Sequence, residues 1–191
     1  MNEPQSDPGP GHLLYPPGGL LVWALVVMEL LTFGVALIAF LISNNHEREL
    51  FHASRGLLNS GIGFANTLIL LTSGYLMALS VQHFKKGSFQ IAARLLDGTL
   101  LGGFLFCLLK GVEYHGKISD GYVLGFDTFF TYYWLLTVFH LMHIVVGMII
   151  LLVMRRKISC RKVEDYEASA VFWHMCDLIW LLLFPALYLI S

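Results

Sequence analysis

The sequence predicts an all-α membrane protein built as a bundle of five spanning helices, and three observations carry that reading. Of its 191 residues, 57% are hydrophobic, and the mean hydropathy is +0.69. Only 13% are charged, about half the ~25% usual in a soluble domain. A soluble chain of this size could not hide so much apolar surface in one core, whereas a bilayer leaves none to hide. The third observation is five separate apolar runs, each near the ~20 residues a span requires. No barrel pattern is present, so each run must satisfy its backbone internally as a helix. A formal net charge of −1 with no basic surface argues against nucleic acid as a partner.

Residues 1–18 are expected to form a flexible tail, and residues 19–191 one transmembrane domain. Four prolines precede Pro17 in the tail, and the absence of Lys and Arg there is unlike the cationic start of a signal peptide. The expected spans are Gly19–Ile42, Ile62–Gln82, Ala92–Val112, Phe129–Met154 and Ala168–Ile190, with a long polar loop at Asn44–Ser60 and shorter ones at His83–Ile91 and Arg155–Glu167. Five spans place the tail and the two shorter loops on one side. That side holds eight Lys and Arg (Lys85, Lys86, Arg94, Arg155, Arg156, Lys157, Arg161 and Lys162), against Arg48, Arg55, Lys110 and Lys117 on the other. The positive-inside rule then puts the N-terminus in the cytoplasm and the C-terminus outside. Tyr132, Tyr133, Trp134 and Tyr188 are expected in the outer aromatic belt.

An ionisable group at the bilayer centre costs about 2.5–3.5 kcal/mol on insertion scales, so each one needs a reason. Glu29 lies ten residues past Gly19, roughly 15 Å deep at 1.5 Å per residue. It reads either as a proton-relay or lipid-cleft carboxylate, or as a plain interhelical hydrogen-bonding group. On the fifth span Glu167, His174 and Asp177 share one side at 100° per residue, a side expected to face protein. Asp177 could orient His174 as carboxylates do for ligand histidines, or the pair could clamp two helices, which is the preferred reading. His140 and His143 share a face with Gly147 and admit two readings, metal or heme ligation and helix-to-helix hydrogen bonding. A di-iron bundle needs several Glu-x-x-His pairs, which do not occur here, and hydrogen bonding is preferred. Lys110 and Glu113, three apart, are expected to pair as an interfacial anchor. Gly98-x-x-x-Gly102 permits close helix approach, and Asn66, Thr67, Ser73 and Gly74 form a polar and small seam at i,i+7. The three cysteines lack any Cys-x-x-Cys spacing and suggest neither disulfides nor zinc. No nucleotide loop or hydrolytic motif appears.

Together these motifs resemble subunit III of the heme-copper terminal oxidases. The strongest likeness is the last span, Tyr166-Glu167-Ala168-Ser169-Ala170 followed by Phe172-Trp173-His174-Met175-Cys176-Asp177-Leu178-Ile179-Trp180. Phe139-His140-x-x-His143-x-x-x-Gly147, Asn66-Thr67-x-x-Leu70-Leu71-x-Ser73-Gly74, and Glu113-Tyr114 before Ile118-Ser119-Asp120-Gly121 match further helices of that family. Glu29 falls where the family has a buried, carbodiimide-reactive carboxylate.

The resemblance implies a non-catalytic subunit that binds no redox centre. Heme and copper sit in partner subunits, a phospholipid is held, and the task is to stabilise the catalytic subunit and support proton uptake. It also implies a structural polar network of Asn66, Glu113, His140, His143, Glu167, His174, Asp177 and Trp180, with no metal site. Five spans resemble the short form of a family whose longer form has seven. That count and the unusual Asp127–Thr137 stretch are also similar to the accessory protein of bacterial nitric oxide reductase. Both readings imply a multi-pass protein of the bacterial inner membrane, with a heme-bearing catalytic partner and membrane lipids around it. A heme-bearing cytochrome using His140, His143 and His174, or a small transporter using Glu29 and Asp177, are the readings from other classes.

Overall fold

The computed structural model describes residues 19–156 and 158–190, all helix and connecting turns. The tail expected over residues 1–18 lies outside the described residues. The five long helices are α1 (Leu20–His46), α3 (Ser60–Lys85), α4 (Phe89–Ser119), α5 (Thr128–Arg155) and α6 (Val163–Tyr188), and each is long and apolar enough to cross a membrane. Helices α3, α4 and α5 run past the expected spans at both ends, α1 runs four residues past its expected end, and α6 starts five residues early and stops two short of Ile190. At 31 residues α4 extends about 46 Å, well beyond the ~30 Å hydrocarbon layer, because its polar ends keep their helical hydrogen bonds after the apolar run stops.

The polar loop expected at Asn44–Ser60 holds a sixth helix, α2 (Arg48–Arg55). Hydropathy misses it because a two-turn helix lying outside the spans needs only one apolar anchor. Phe51 supplies it, fully buried against Phe40 and Phe129. Ser54 then donates to Asp127 Oδ2 (2.6 Å), while Asp127 Oδ1 accepts from Phe130 N (2.6 Å) and caps α5. Arg55 completes the dock by donating to the Leu187 carbonyl (3.3 Å) and Asn44 Oδ1 (3.2 Å). Burial lowers its pKa from the ordinary value, yet a guanidinium stays charged.

Short connections make chain neighbours antiparallel. The α3–α4 turn closes over Gly87 at φ +74, with Gly87 N donating to Phe84 O (2.9 Å) and Ser88 N to His83 O (3.0 Å). A left-handed glycine with these two bonds is a Schellman stop. Helices α3, α4, α5 and α6 form a ring closed by α3 against α6, and α1 lies outside it along α5 and α6. Accordingly, 61% of the apolar window of α6 is buried against 17% of that of α1.

Small residues set the spacing. A Cβ on Gly102 would lie 2.7 Å from Ser73 Cβ, and one on Gly98 3.0 Å from Leu76. The Gly98-x-x-x-Gly102 face is therefore where α4 meets α3, and the approach lets Ser73 and Thr99 exchange hydroxyl-to-carbonyl hydrogen bonds (3.0 and 3.3 Å).

Candidate functional site

Polar chemistry inside the bundle falls into four groups. The first is fully buried near the end of α4. Lys110 Nζ bonds Glu113 Oε2 (2.9 Å) and the Tyr188 hydroxyl (2.8 Å), and Tyr188 also donates to Glu113 Oε1 (2.6 Å). The two charged side chains are 1% and 2% exposed. The rings of Tyr114, Tyr133, Trp180 and Tyr188 stand 4.9–5.5 Å from the ammonium, a cage suited to a desolvated cation. The expected Lys110–Glu113 pair forms, but buried inside the bundle and not as an interfacial anchor. A snorkelling Lys would reach headgroups, whereas this one points into the bundle, because Tyr188 on α6 and the adjoining carboxylate offer better partners. Tyr133 and Tyr188 are likewise core residues, not outer-belt residues. Trp134 is half-buried and donates to the Tyr122 carbonyl (2.9 Å), and half-buried Tyr132 meets Ser43 across α1 and α5 (3.2 Å).

The second group lies at the bundle centre. Trp180 donates to Thr67 Oγ1 (3.0 Å) and Trp173 to Ser73 Oγ (3.2 Å), tying α6 to the small and polar seam of α3. Trp173 fits because Gly103 and Gly147 leave room: an added Cβ would lie 2.7 and 3.0 Å from its ring. His140 is fully buried and stacks on Trp180 (5.4 Å between centroids) with Phe106 edge-on. Neither of its ring nitrogens, nor either side-chain polar atom of Asn66, has a hydrogen-bond partner among the described residues. The helix-to-helix hydrogen bond expected of His140 is thus replaced by ring stacking, because its neighbours across the interface are aromatic.

The third group joins α1 to α5. Glu29 Oε2 lies 3.3 Å from His143 Nε2, and His143 Nδ1 lies 2.8 Å from the Phe139 carbonyl. That second contact fixes the ring, so its other nitrogen faces the carboxylate. His140 and His143 share a sequence face but part company in space. One enters the aromatic core, and the other turns toward α1.

The fourth group is on α6. Glu167 pairs with Lys85, and His174 Nδ1 lies 3.5 Å from Asp177 Oδ2. Asp177 is buried against Gly74 of α3, leaving no room there for a Cβ. Within this chain only part of that side is covered: Asp177 is packed against α3, whereas the His174 side chain is 44% exposed on the outer surface of the bundle. Its residue sits on the rim of the α3–α6 contact, where a 60° offset from Asp177 is enough to leave the core.

Among the described residues, no three His, Cys, Asp or Glu side chains converge in a way that could hold a metal ion. What the geometry does provide is helix-locking polar contacts, including Ser80 to the Ala92 carbonyl and the Tyr166 hydroxyl (both 2.7 Å). On the exposed surface between α4 and α5, Arg155 grips Asp97 through two bonds (2.7 and 2.9 Å). Sequence reading missed the Tyr188 bridge and the Arg55 dock. A lysine in an apolar run, three residues before a glutamate, was the available signal for the first.

The family model described as cytochrome c oxidase subunit III matches residues 25–191. This chain belongs to the cytochrome c oxidase subunit III family. Proteins named cytochrome c oxidase subunit 3 from Pylaiella littoralis, Rhipicephalus sanguineus and Marchantia polymorpha are 32%, 34% and 35% identical to it over 67%, 66% and 67% of its length. The alignments cover 48%, 50% and 49% of those proteins, so the chain spans about half the length of the curated relatives it matches. Subunit III membership agrees with the all-helical, multi-span architecture, and the match runs through every polar group described above.

Proposed function

We propose that this chain is a non-catalytic subunit of a respiratory heme-copper oxidase that packs against, and stabilises, the heme-bearing catalytic subunit. The observation that carries the reading is the family match through residues 25–191, which includes all the helix-locking polar contacts. In this reading the chain holds no heme or copper itself, and the redox centres belong to the partner. His140, His143 and His174 act structurally, consistent with their lying in three different environments. The membrane is the bacterial inner membrane, with the N-terminus in the cytoplasm by the eight-to-four excess of Lys and Arg.

Glu29 and His143 form the acid–imidazole pair through which the chain would support proton uptake or line a phospholipid site. Support for that role is their position, a half-buried pair between α1 and α5 about 15 Å along the span.

The test is a mild-detergent pull-down of the tagged chain with an optical spectrum and mass spectrometry. Recovery of an oxidase core with its heme bands is the expected result. Recovery of nitric oxide reductase subunits would replace the partner while keeping the accessory role. Heme on the chain alone would overturn the reading. Glu29→Gln should assemble normally yet alter sustained turnover of the partner, and unchanged long-term turnover would remove the proton and lipid role.

A further inference from the structure

The exposed large side chains of the spans are mainly Leu, Val, Ile, Phe and Met. Thr32 and Thr72 are exposed, but each hydroxyl is satisfied by a carbonyl of its own helix (2.9 and 2.8 Å). Two other exposed polar side chains lie within the spans of α3 and α6. Tyr75 of α3 is 64% exposed, and the His174 side chain of α6 is 44% exposed. His174 is eleven residues into α6, about 16 Å from its start, and Gly74 of α3 packs beside it. Counted from Ala168, where the expected span begins, the imidazole lies six residues, about 9 Å, into the apolar run, too far for so short a side chain to reach headgroups.

Between these helices runs a shallow groove of about 230 Å³ lined by Ala78, Val81, Glu167, Ala170, Val171 and His174. Its alanines permit close backbone approach, the feature that membrane helix pairs select. Behind His174, Asp177 Oδ1 is buried without a hydrogen-bond partner among the described residues. Opposed to hydrocarbon, an exposed imidazole is costly, since no water is present to satisfy it. The contrasting surface is on α5, where the exposed Leu135, Val138, Met142, Val145 and Ile149 are all apolar and suit lipid.

We infer that the α3–α6 groove at His174 is the docking face for a transmembrane helix of the partner subunit, one that carries a hydrogen-bonding side chain opposite the imidazole. This rests on the functional reading above and names the surface through which it operates. A polar helix fits better than an acyl chain, because an acyl chain offers nothing to the imidazole that lines the groove.

The test uses the intact complex in native membranes. A photo-crosslinking phenylalanine analogue placed at Val171 in the groove should capture a subunit other than this chain, and the same probe at Val145 on α5 should not. His174→Leu removes the exposed imidazole together with its contact to the buried Asp177 (3.5 Å), so partner recovery is normalised to the amount of folded chain recovered. Partner recovery so normalised should fall about tenfold, as for the loss of one buried hydrogen bond. Full partner recovery with His174→Leu would overturn the inference. So would a Val171 probe that captures only lipid or a second copy of this chain. A wild-type chain that recovers no subunit at all would sink the functional reading together with this one. Full recovery with capture from the α5 face alone would sink only the docking face.

Discussion

Replacing Lys110 with Met removes one half of a buried ion pair and leaves the other half in place. Glu113 would keep the Tyr188 hydrogen bond (2.6 Å) but lose the ammonium at 2.9 Å, with its own side chain 2% exposed. Breaking such a pair from one side costs about 3–5 kcal/mol, because an uncompensated charge stays in a poor solvent. The cation's contacts with the surrounding rings add about 0.5–2 kcal/mol to the loss. At roughly 2–4 °C per kcal/mol for a chain of this size, the pair alone predicts a fall in Tm of about 6–20 °C. The double variant Lys110→Met with Glu113→Leu removes both charges, and such replacements are often neutral or stabilising by about 1–4 kcal/mol. It should therefore recover most of what the single variant loses. Thermal or SDS unfolding in dodecyl maltoside, followed by tryptophan fluorescence, measures both. The reasoning fails if the single variant loses less than about 1 kcal/mol, or if the double variant is as unstable as the single. Either outcome would mean that Glu113 is not left as a stranded charge.

Asp127→Ala removes the α5 cap and the Ser54 bond together. It should cost about 1–2 kcal/mol and speed protease cleavage around α2, measured by limited proteolysis. Gly103→Ala would put a methyl 2.7 Å from the Trp173 ring and 3.0 Å from the Met148 sulfur. Overpacking of this kind costs about 1–3 kcal/mol, visible as a lower unfolding midpoint and an altered tryptophan spectrum. Trp180→Phe keeps the stack on His140 but drops the bond to Thr67; a loss of about 1 kcal/mol is expected in the same unfolding assay. Cys160 is exposed in the basic α5–α6 connection while Cys176 is buried. An impermeant maleimide should therefore label Cys160 in inverted vesicles and not in intact cells; the reverse pattern would invert the proposed orientation.

The sequence by itself determined that the chain crosses a membrane five times as helix, because apolar run length and the need for internal backbone hydrogen bonds leave no other solution. It also identified the side chains that matter, since an ionisable group in an apolar run stands out against a costly background. What each of those side chains touches was decided by the tertiary structure. Lys110 lies near the end of its apolar run, so pattern alone sends it to the interface; only the arrival of Tyr188, 78 residues later, makes an inward position better. His140 and His143 are three apart and look equivalent on a helical wheel. Yet one meets the Trp180 ring and the other Glu29, because α6 and α1 approach α5 from different sides. His174 and Asp177 are likewise three apart. One stays at the exposed rim and the other is buried against Gly74, since the edge of the α3–α6 contact passes between them. Helix α2 was illegible because its stability comes from Phe51, Ser54 and Arg55 meeting residues of α1, α5 and α6. Periodicity reports which way a residue faces on its own helix, and only packing decides what stands opposite.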